Sequence, residues 1–203
     1  MAHTFERLPE KFFLRKDTVK VARDLLGKLL VVPPSDGSRI SGIIVETEAY
    51  LGVDDKAAHS YGGRRTARNE ITYAEGGHVY VFFIYGMYYQ LNLVCGAAEQ
   101  AHVVLIRAVE PVEGIEIMRE RRGTMPDKNL TSGPGKLTIA LGIDRSYNGE
   151  HLSGDRIWVE EFKKFNPAEI SAGARVGIDY AEEFIDMPWR FWVTGNRFVS
   201  RAK

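Results

Sequence analysis

The chain has 203 residues, of which 44% are hydrophobic, enough for one large domain with a sizeable core. We expect residues 1–203 to form a single domain, with residues 1–8 as a flexible end. Twenty-seven basic residues balance 27 acidic ones, so polyanion binding would have to come from local clusters rather than from an overall field.

The single cysteine, Cys95, excludes an internal disulfide and a cysteine-rich metal site. It lies in an apolar run, where a buried small side chain is the expected role. The N-terminal segment carries mixed charge without an apolar stretch of signal length, and the sequence has no long apolar run that could cross a membrane. We therefore expect a cytoplasmic protein without membrane contact.

The first quarter of the chain predicts a helix followed by a β-hairpin. Asp17 is a suitable N-cap for a helix over 19–26. Strands are predicted over 28–32 and 40–50, with a proline- and glycine-containing turn at 33–37 between them.

Two carboxylates lie near the end of the second predicted strand. Because strand side chains alternate, Glu46, Glu48 and Tyr50 share one face. A carboxylate beside an aromatic surface can be partly desolvated, which suits it to general-base chemistry. A strand whose acids simply face water is the commoner arrangement, so these residues alone leave both interpretations open.

Residues 51–77 form a glycine- and arginine-rich stretch without clear periodicity, and a loop of this length is usually functional or disordered. Basic residues cluster here at 61–69 and again in the C-terminal segment, in both cases without an acid. Residues 150–186 are acidic, so we expect that part of the surface to face away from any polyanion.

A second hairpin is predicted over 78–93, with its tip at Tyr85-Gly86-Met87. Large apolar side chains at a hairpin tip suggest a surface for a partner. A tip folded back onto the core would explain them equally well.

Arg107 is an unusual charge within the apolar strand predicted over 103–109. A buried arginine usually pairs with a carboxylate or takes part in chemistry, although an edge-strand position is also compatible with the sequence.

The rest of the chain predicts two helices and several short strands or connections. One helix is predicted over 111–122. A second, over 137–141, follows Ser132-Gly133-Pro134-Gly135-Lys136, whose amides and lysine suit either a phosphate or an ordinary helix start. The short segments are 158–160, 175–178 and 189–194.

Taken together, these motifs resemble the alkyladenine (3-methyladenine) DNA glycosylases, from about Thr18 to Arg201 and in the family's order. Each motif is weak alone, but the ordered combination is specific. The matching motifs are Glu46-Thr47-Glu48-Ala49-Tyr50-Leu51-Gly52, Ala57-Ala58-His59-Ser60, Gly62-Gly63-Arg64, Thr66-Ala67-Arg68-Asn69, Ile84-Tyr85-Gly86-Met87-Tyr88, Arg107-Ala108-Val109-Glu110-Pro111, Ser132-Gly133-Pro134, Lys136-Leu137 and Ala174-Arg175-Val176-Gly177.

The resemblance implies a compact α/β (α+β) domain with a curved, largely antiparallel sheet, surrounding helices and a protruding β-hairpin. It implies a glycosylase that flips alkylated or deaminated purine nucleotides out of double-stranded DNA and hydrolyses the N-glycosidic bond, which starts base excision repair. By the same resemblance, Glu48 activates the water, Arg107 helps to hold it, and the backbone carbonyl of Val176 is a further water ligand.

The resemblance also assigns the base pocket and the DNA contacts. Tyr50, His59, Phe82 and Asn92 correspond to the pocket, where Asn92 disfavours guanine. Phe82 departs from the family pattern, since the best-known members have a second tyrosine there; we expect activity to persist with an altered damage preference. The implied DNA contacts are the wedge Tyr85 together with Met87, Arg64, Arg68 and Lys136.

The implied chemistry needs neither a metal nor another cofactor, because an alkylated base is already a good leaving group. No lysine is evident as a Schiff-base nucleophile beside Glu48, so we expect a monofunctional enzyme that leaves the abasic site uncut. We also expect the enzyme to be a monomer. Two alternatives remain: a non-catalytic module that recognises damaged DNA, which would not need Glu48 and Arg107 together, and a hydrolase of free modified nucleosides, which would not need Tyr85.

Overall fold

The computed structural model describes residues 5–34 and 37–201. Within this part of the chain, three α-helices lie against a sheet of eight strands. The helices are Thr18–Asp24 (α1), Ile115–Arg122 (α2) and Pro134–Leu141 (α3). The strands are Leu29–Val32 (β1), Ile40–Leu51 (β2), Val79–Ile84 (β3), Tyr88–Cys95 (β4), His102–Glu113 (β5), Trp158–Glu160 (β6), Ile170–Gly173 (β7) and Arg190–Val193 (β8).

The strands form one curled, antiparallel sheet with the order β3-β4-β5-β2-β1-β6. β8 pairs with the second half of β2, and β7 pairs with β8. The predicted α/β (α+β) class, with its curved antiparallel sheet, surrounding helices and projecting hairpin, is confirmed. The long strand β2 contacts three others, so its residues lie near the middle of the molecule.

Alternation along β2 separates the core from the polar network. Ala49 is fully buried in the main hydrophobic cluster, and the Thr47 hydroxyl donates to the Ala22 carbonyl of α1 at 2.8 Å. Glu48 and Tyr50 point to the opposite face, where the Tyr50 hydroxyl donates to the Glu48 carboxylate at 2.8 Å. Neither acid at the end of this strand faces water, since Glu46 and Glu48 have no exposed surface.

The N-terminal region follows the prediction with small shifts. The Asp17 carboxylate caps α1 by accepting from the Lys20 amide at 2.9 Å, but the helix ends two residues earlier than predicted. The chain then turns through Gly27, whose φ of 88° favours glycine. The predicted turn at 33–37 includes residues 35 and 36, which lie outside the described residues. Residues 1–4 also lie outside them, whereas Leu8 is buried.

The predicted helix over 111–122 is wrong at its start. Residues up to Glu113 continue β5, because Pro111 lies opposite Gly42 of β2 and completes the sheet register. Gly114, with a φ of 70°, then separates the strand from α2, which begins at Ile115. Sheet pairing prevailed here over the apolar pattern of the segment.

The long loop over 51–77 is ordered by a buried amide. The Asn69 side chain donates to the Arg64 carbonyl at 2.8 Å and to the His59 carbonyl at 3.3 Å. Its oxygen accepts from the Thr66 amide at 2.7 Å. This one residue therefore ties together the segments that carry His59 and the exposed arginines.

Candidate active site

The centre of the candidate site is the carboxylate of Glu48, which has no exposed surface. One oxygen accepts from the Tyr50 hydroxyl at 2.8 Å, and the other accepts from the Val176 amide at 2.7 Å. Arg107 Nη1 lies 3.3 Å from the second oxygen. Arg107 and Val176, which are distant from Glu48 in sequence, thus converge on it together with Tyr50 of the same strand.

Arg107 pairs with carboxylates. The sequence alone leaves this interpretation open beside an edge-strand position. Its Nε donates to Glu46 Oε1 at 2.9 Å, and its side chain is almost completely buried. Although burial opposes the charge, the neighbouring Glu48 and Glu46 carboxylates raise the pKa of Arg107. The guanidinium therefore stays charged inside the protein.

Val176 contributes its backbone in a way the sequence could not indicate. Its amide N–H faces Glu48 directly, whereas the predicted role was for its carbonyl oxygen. The neighbouring Arg175 is fixed by two hydrogen bonds to Asp55, at 2.5 and 2.9 Å, and both side chains are completely buried. This ion pair anchors the loop that brings Val176 to the site.

A cavity lies immediately above this network and brings the predicted base-pocket residues together. Its volume is about 110 Å³. Arg107 and Val176 contribute to its lining. The four predicted pocket residues also line it: Tyr50, His59, Phe82 and Asn92.

The aromatic walls of the cavity pack against one another. The His59 and Phe82 rings meet edge to face with their centroids 4.5 Å apart. His59 Nδ1 lies 2.9 Å from the Tyr80 hydroxyl, and the Tyr80 and Phe82 rings are 5.2 Å apart. The His59 ring is thus held from two sides.

Burial, together with the nearby Arg68 and Arg64 guanidinium groups, lowers the pKa of His59 to about 4. Burial also raises the pKa of Tyr80 to about 12 and raises that of Tyr50 well above its usual range; for Tyr50, the adjacent Glu48 adds to the effect. At neutral pH these three rings are therefore uncharged and present aromatic surface to the cavity, and the Arg175 guanidinium lies 4.6 Å from the centre of the Tyr50 ring.

Asn92 lies at the floor of the cavity on β4. It is nearly fully buried, and its Nδ2 donates to the Tyr80 carbonyl at 3.2 Å. Because the amide nitrogen is engaged by the neighbouring strand, the orientation of the whole side chain is fixed.

The hairpin of β3 and β4 leaves its tip in solvent, with Tyr85 77% exposed and Met87 62% exposed. Tyr85 also contributes to the cavity lining. Its φ is 56°, and that of Gly86 is 67°; positive values at both central positions are typical of the tight turns that close hairpins. The alternative in which the tip folds onto the core is wrong.

The predicted DNA-contacting cations lie in different surroundings. Arg64 is exposed, and Arg68 donates to the Phe83 carbonyl at 3.1 Å while its guanidinium lies 5.1 Å from the centre of the Phe82 ring. Lys136 Nζ lies 3.4 Å from Ser132 Oγ. Burial, with Arg122 and Arg201 nearby, lowers the pKa of Lys136.

Lys136 lies in a second cavity that adjoins the first at Arg107. Among the described residues, the side chains lining this second cavity include several cations and no carboxylate. The lining cations are Arg107, Lys128, Lys136, Arg197 and Arg201. The two cavities therefore place an aromatic chamber, which has Arg107 in its lining, beside a basic one.

The sequence did not single out Tyr80, Tyr180 or Asp55. Tyr80 belongs to an apolar strand and gives no separate signal. Tyr180 is 65% exposed, lines the first cavity and directs its hydroxyl at the Ala57 carbonyl, 3.4 Å away. An aromatic residue in a loop of mixed composition gives no distinctive signal in the sequence.

No helix within the described part of the chain is long and apolar enough to cross a membrane.

The curled sheet thus brings together a buried carboxylate network, an aromatic cavity and an exposed hairpin tip. A family model described as methylpurine-DNA glycosylase matches residues 11–197. The chain therefore belongs to the methylpurine-DNA glycosylase family, as the resemblance of its motifs predicted.

Relatives with the printed name "Putative 3-methyladenine DNA glycosylase" match nearly the whole chain. The relative from Clostridium acetobutylicum is 50% identical, over 94% of this chain and 96% of its own length. The one from Clostridium novyi is 47% identical, over 97% and 99%. The one from Bacillus cereus strain G9842 is 49% identical, over 93% and 97%.

Proposed function

We propose that this protein is a monofunctional DNA glycosylase that removes alkylated or deaminated purines from double-stranded DNA. The observation that carries the proposal is the buried Glu48 carboxylate, paired with Arg107 directly beneath an aromatic cavity. A pure recognition module would have no use for a buried base at this position. We propose that it acts as a monomer on the chromosomal DNA of a bacterial cell, without a metal or another cofactor.

The hairpin tip supports a role in base flipping. A base inside the duplex cannot be attacked until it leaves the stack, and the gap it leaves needs a filler. Tyr85 is exposed at the tip and also borders the cavity, so it can occupy that gap while the nucleotide enters beside it. Met87 is exposed on the same turn and adds apolar contact in the minor groove.

The cavity walls suit a damaged purine. Tyr50, Phe82 and the uncharged His59 offer ring faces and edges, and aromatic faces attract a cationic base by roughly 0.5 to 2 kcal/mol. Asn92 is held with its side chain on the cavity floor. It can reject guanine through the exocyclic amino group, because that group would need an acceptor or additional space.

In the proposed reaction, Glu48 takes a proton from a water molecule as the water oxygen forms a bond to C1′. The N-glycosidic bond breaks and its electron pair leaves with the base. A base alkylated to a cation departs neutral, whereas a deaminated purine departs as an anion that takes a proton from solvent. Arg107 and the backbone of Val176 hold the carboxylate and the water in place. The product is an intact strand with an abasic site.

Basic groups around the two cavities can bind the DNA backbone. Arg64 and Arg68 lie on the exposed loop beside the aromatic cavity, and Lys136 lies in the basic cavity next to Arg107. Such contacts supply affinity that does not depend on sequence and that weakens as salt is added.

The test is single-turnover base release from duplex oligonucleotides that carry hypoxanthine, ethenoadenine or 7-methylguanine, with abasic sites revealed by alkaline cleavage. We compare the wild type with Glu48→Gln, which keeps the shape of the side chain and removes the base. Loss of a general base typically lowers a rate by about 10²- to 10⁴-fold, so we expect a collapse of base release with DNA binding retained.

Glu120→Gln is the matched control, since Glu120 is exposed on α2, and it should release base at the wild-type rate. Strand cleavage before alkaline treatment would contradict the monofunctional assignment. Tight binding of all three duplexes without base release by the wild type would favour the recognition module instead.

A further inference from the structure

Glu46 is a second buried carboxylate behind the candidate site, and the reaction proposed above does not use it directly. Its side chain has no exposed surface. Among the described residues, it is not one of those that line the aromatic cavity. Oε1 accepts from Arg107 Nε at 2.9 Å, from Arg190 Nε at 2.8 Å and from Ser200 Oγ at 2.8 Å. Oε2 accepts from the Ser200 amide at 2.7 Å.

These contacts give each nitrogen of Arg107 a different partner. Nε binds Glu46, Nη1 faces Glu48 at 3.3 Å, and Nη2 donates to Ser200 Oγ at 3.2 Å. A free guanidinium and carboxylate would prefer two parallel hydrogen bonds. Glu46 holds Nε, and Ser200 Oγ, which itself donates to Glu46, holds Nη2, so Nη1 alone faces Glu48.

We propose that Glu46 is a positioning residue for the glycosylase reaction, and the proposal rests on the function proposed above. By holding Arg107 at Nε and by binding Ser200, whose hydroxyl engages Nη2, it orients the guanidinium so that Nη1 alone faces Glu48. Its charge also offsets that of Arg107, so that Glu48 remains a usable base rather than one half of a closed ion pair.

The charge count around Glu48 supports this role. Arg107 and Arg190 bring two positive charges to the buried cluster, and Glu46 and Glu48 bring two negative ones. The remaining neighbours of Glu48 are the neutral Tyr50 hydroxyl on β2 and the Val176 amide on the adjoining loop. Arg175, which lies against Tyr50, is balanced by Asp55.

The test compares Glu46→Gln with Glu46→Asp in single-turnover base release across pH. Gln removes the negative charge, so we expect the rate to fall on the order of 10- to 100-fold, the size of effect that a small misplacement of a catalytic group produces. The acid limb of the pH–rate profile should move to lower pH, because the cluster then holds an excess positive charge. Asp should restore the position of the limb and part of the rate.

Ser200→Ala is the matched control, since it removes a donor to Glu46 and leaves all four charges in place. We expect its acid limb to stay at the wild-type position. If Glu46→Gln lowers the rate equally at every pH, with the limb unmoved, Glu46 is only structural and the proposal is overturned.

A second readout does not depend on base release. The Arg107 Nε–H signal in side-chain ¹⁵N NMR should be slowly exchanging in the wild type and should shift and exchange faster in Glu46→Gln. An unchanged Arg107 signal overturns the positioning role whether or not the protein releases base. Failure of the wild type to release base, with the expected change at Arg107, would count against the proposed function alone.

Discussion

The buried pair of Asp55 and Arg175 offers a direct test of how the site is held together. The Asp55 carboxylate also accepts from the Leu51 and Ala57 amides, both at 3.0 Å. In Asp55→Asn, one carboxylate oxygen becomes an NH₂ group that meets N–H donors. The fully buried Arg175 then keeps its charge without a carboxylate partner, although its Nη1 still donates to the Ala49 carbonyl at 3.0 Å. Breaking such a pair costs about 3 to 5 kcal/mol of unfolding free energy.

For a chain of this size, each kcal/mol lowers Tm by roughly 2 to 4 °C, so the expected loss is roughly 6 to 20 °C. Urea unfolding followed by circular dichroism gives the free energy, and a thermal scan gives Tm. Glu182→Gln is the control: it breaks one contact of Lys56 with an exposed acid, and Glu183 still holds the lysine. A surface pair is worth at most about 1 kcal/mol. Equal losses in the two variants would refute the reasoning.

Two further predictions concern charge. Lys136→Met should reduce the slope of log affinity against log salt by about one, without changing single-turnover base release at saturating enzyme; an unchanged slope would exclude a phosphate contact. For His59, the native pKa of about 4 lies below the unfolded value, so the unfolded state binds more protons as pH falls from about 6.5 to 4. The wild type should therefore lose more stability over that window than His59→Gln, by an amount that solvent screening reduces because much of His59 is exposed. An equal pH dependence of the unfolding free energy in the two proteins would contradict this.

Local patterns in the sequence were sufficient for much of the fold. The period-two alternation of β2 predicted that Glu48 and Tyr50 share a face opposite that of Thr47 and Ala49, and Asp17 predicted the start of α1. The hairpin at Tyr85 was predicted from two strand-like runs around a glycine. These features depend on residues within a few positions of each other, which is why one sequence is enough to find them.

Other features depend on contacts between distant parts of the chain. Nothing near Asp55 indicates that Arg175 will neutralise it, and nothing near Glu46 indicates that Ser200 will supply two of its donors. The extension of β5 to Glu113 likewise depends on β2 as a partner. The candidate site residues came from the family resemblance, and their geometry came from the structure.

The hydrogen bonds around Glu46 and Glu48 also determine how late in synthesis the site can be completed. Glu46 and Ser200 are 154 residues apart in sequence, and Glu48 and Val176 are 128 apart. A ribosome delivers β2 and the hairpin long before these partners emerge, and distant contacts form slowly even in a finished chain. A nascent or prematurely terminated chain would carry the aromatic walls of the cavity and the hairpin tip at Tyr85. Its Glu46 and Glu48 carboxylates would lack the hydrogen bonds from Ser200 and Val176. We therefore expect any chemistry that depends on this network to wait until the segment around Ser200 has been synthesised.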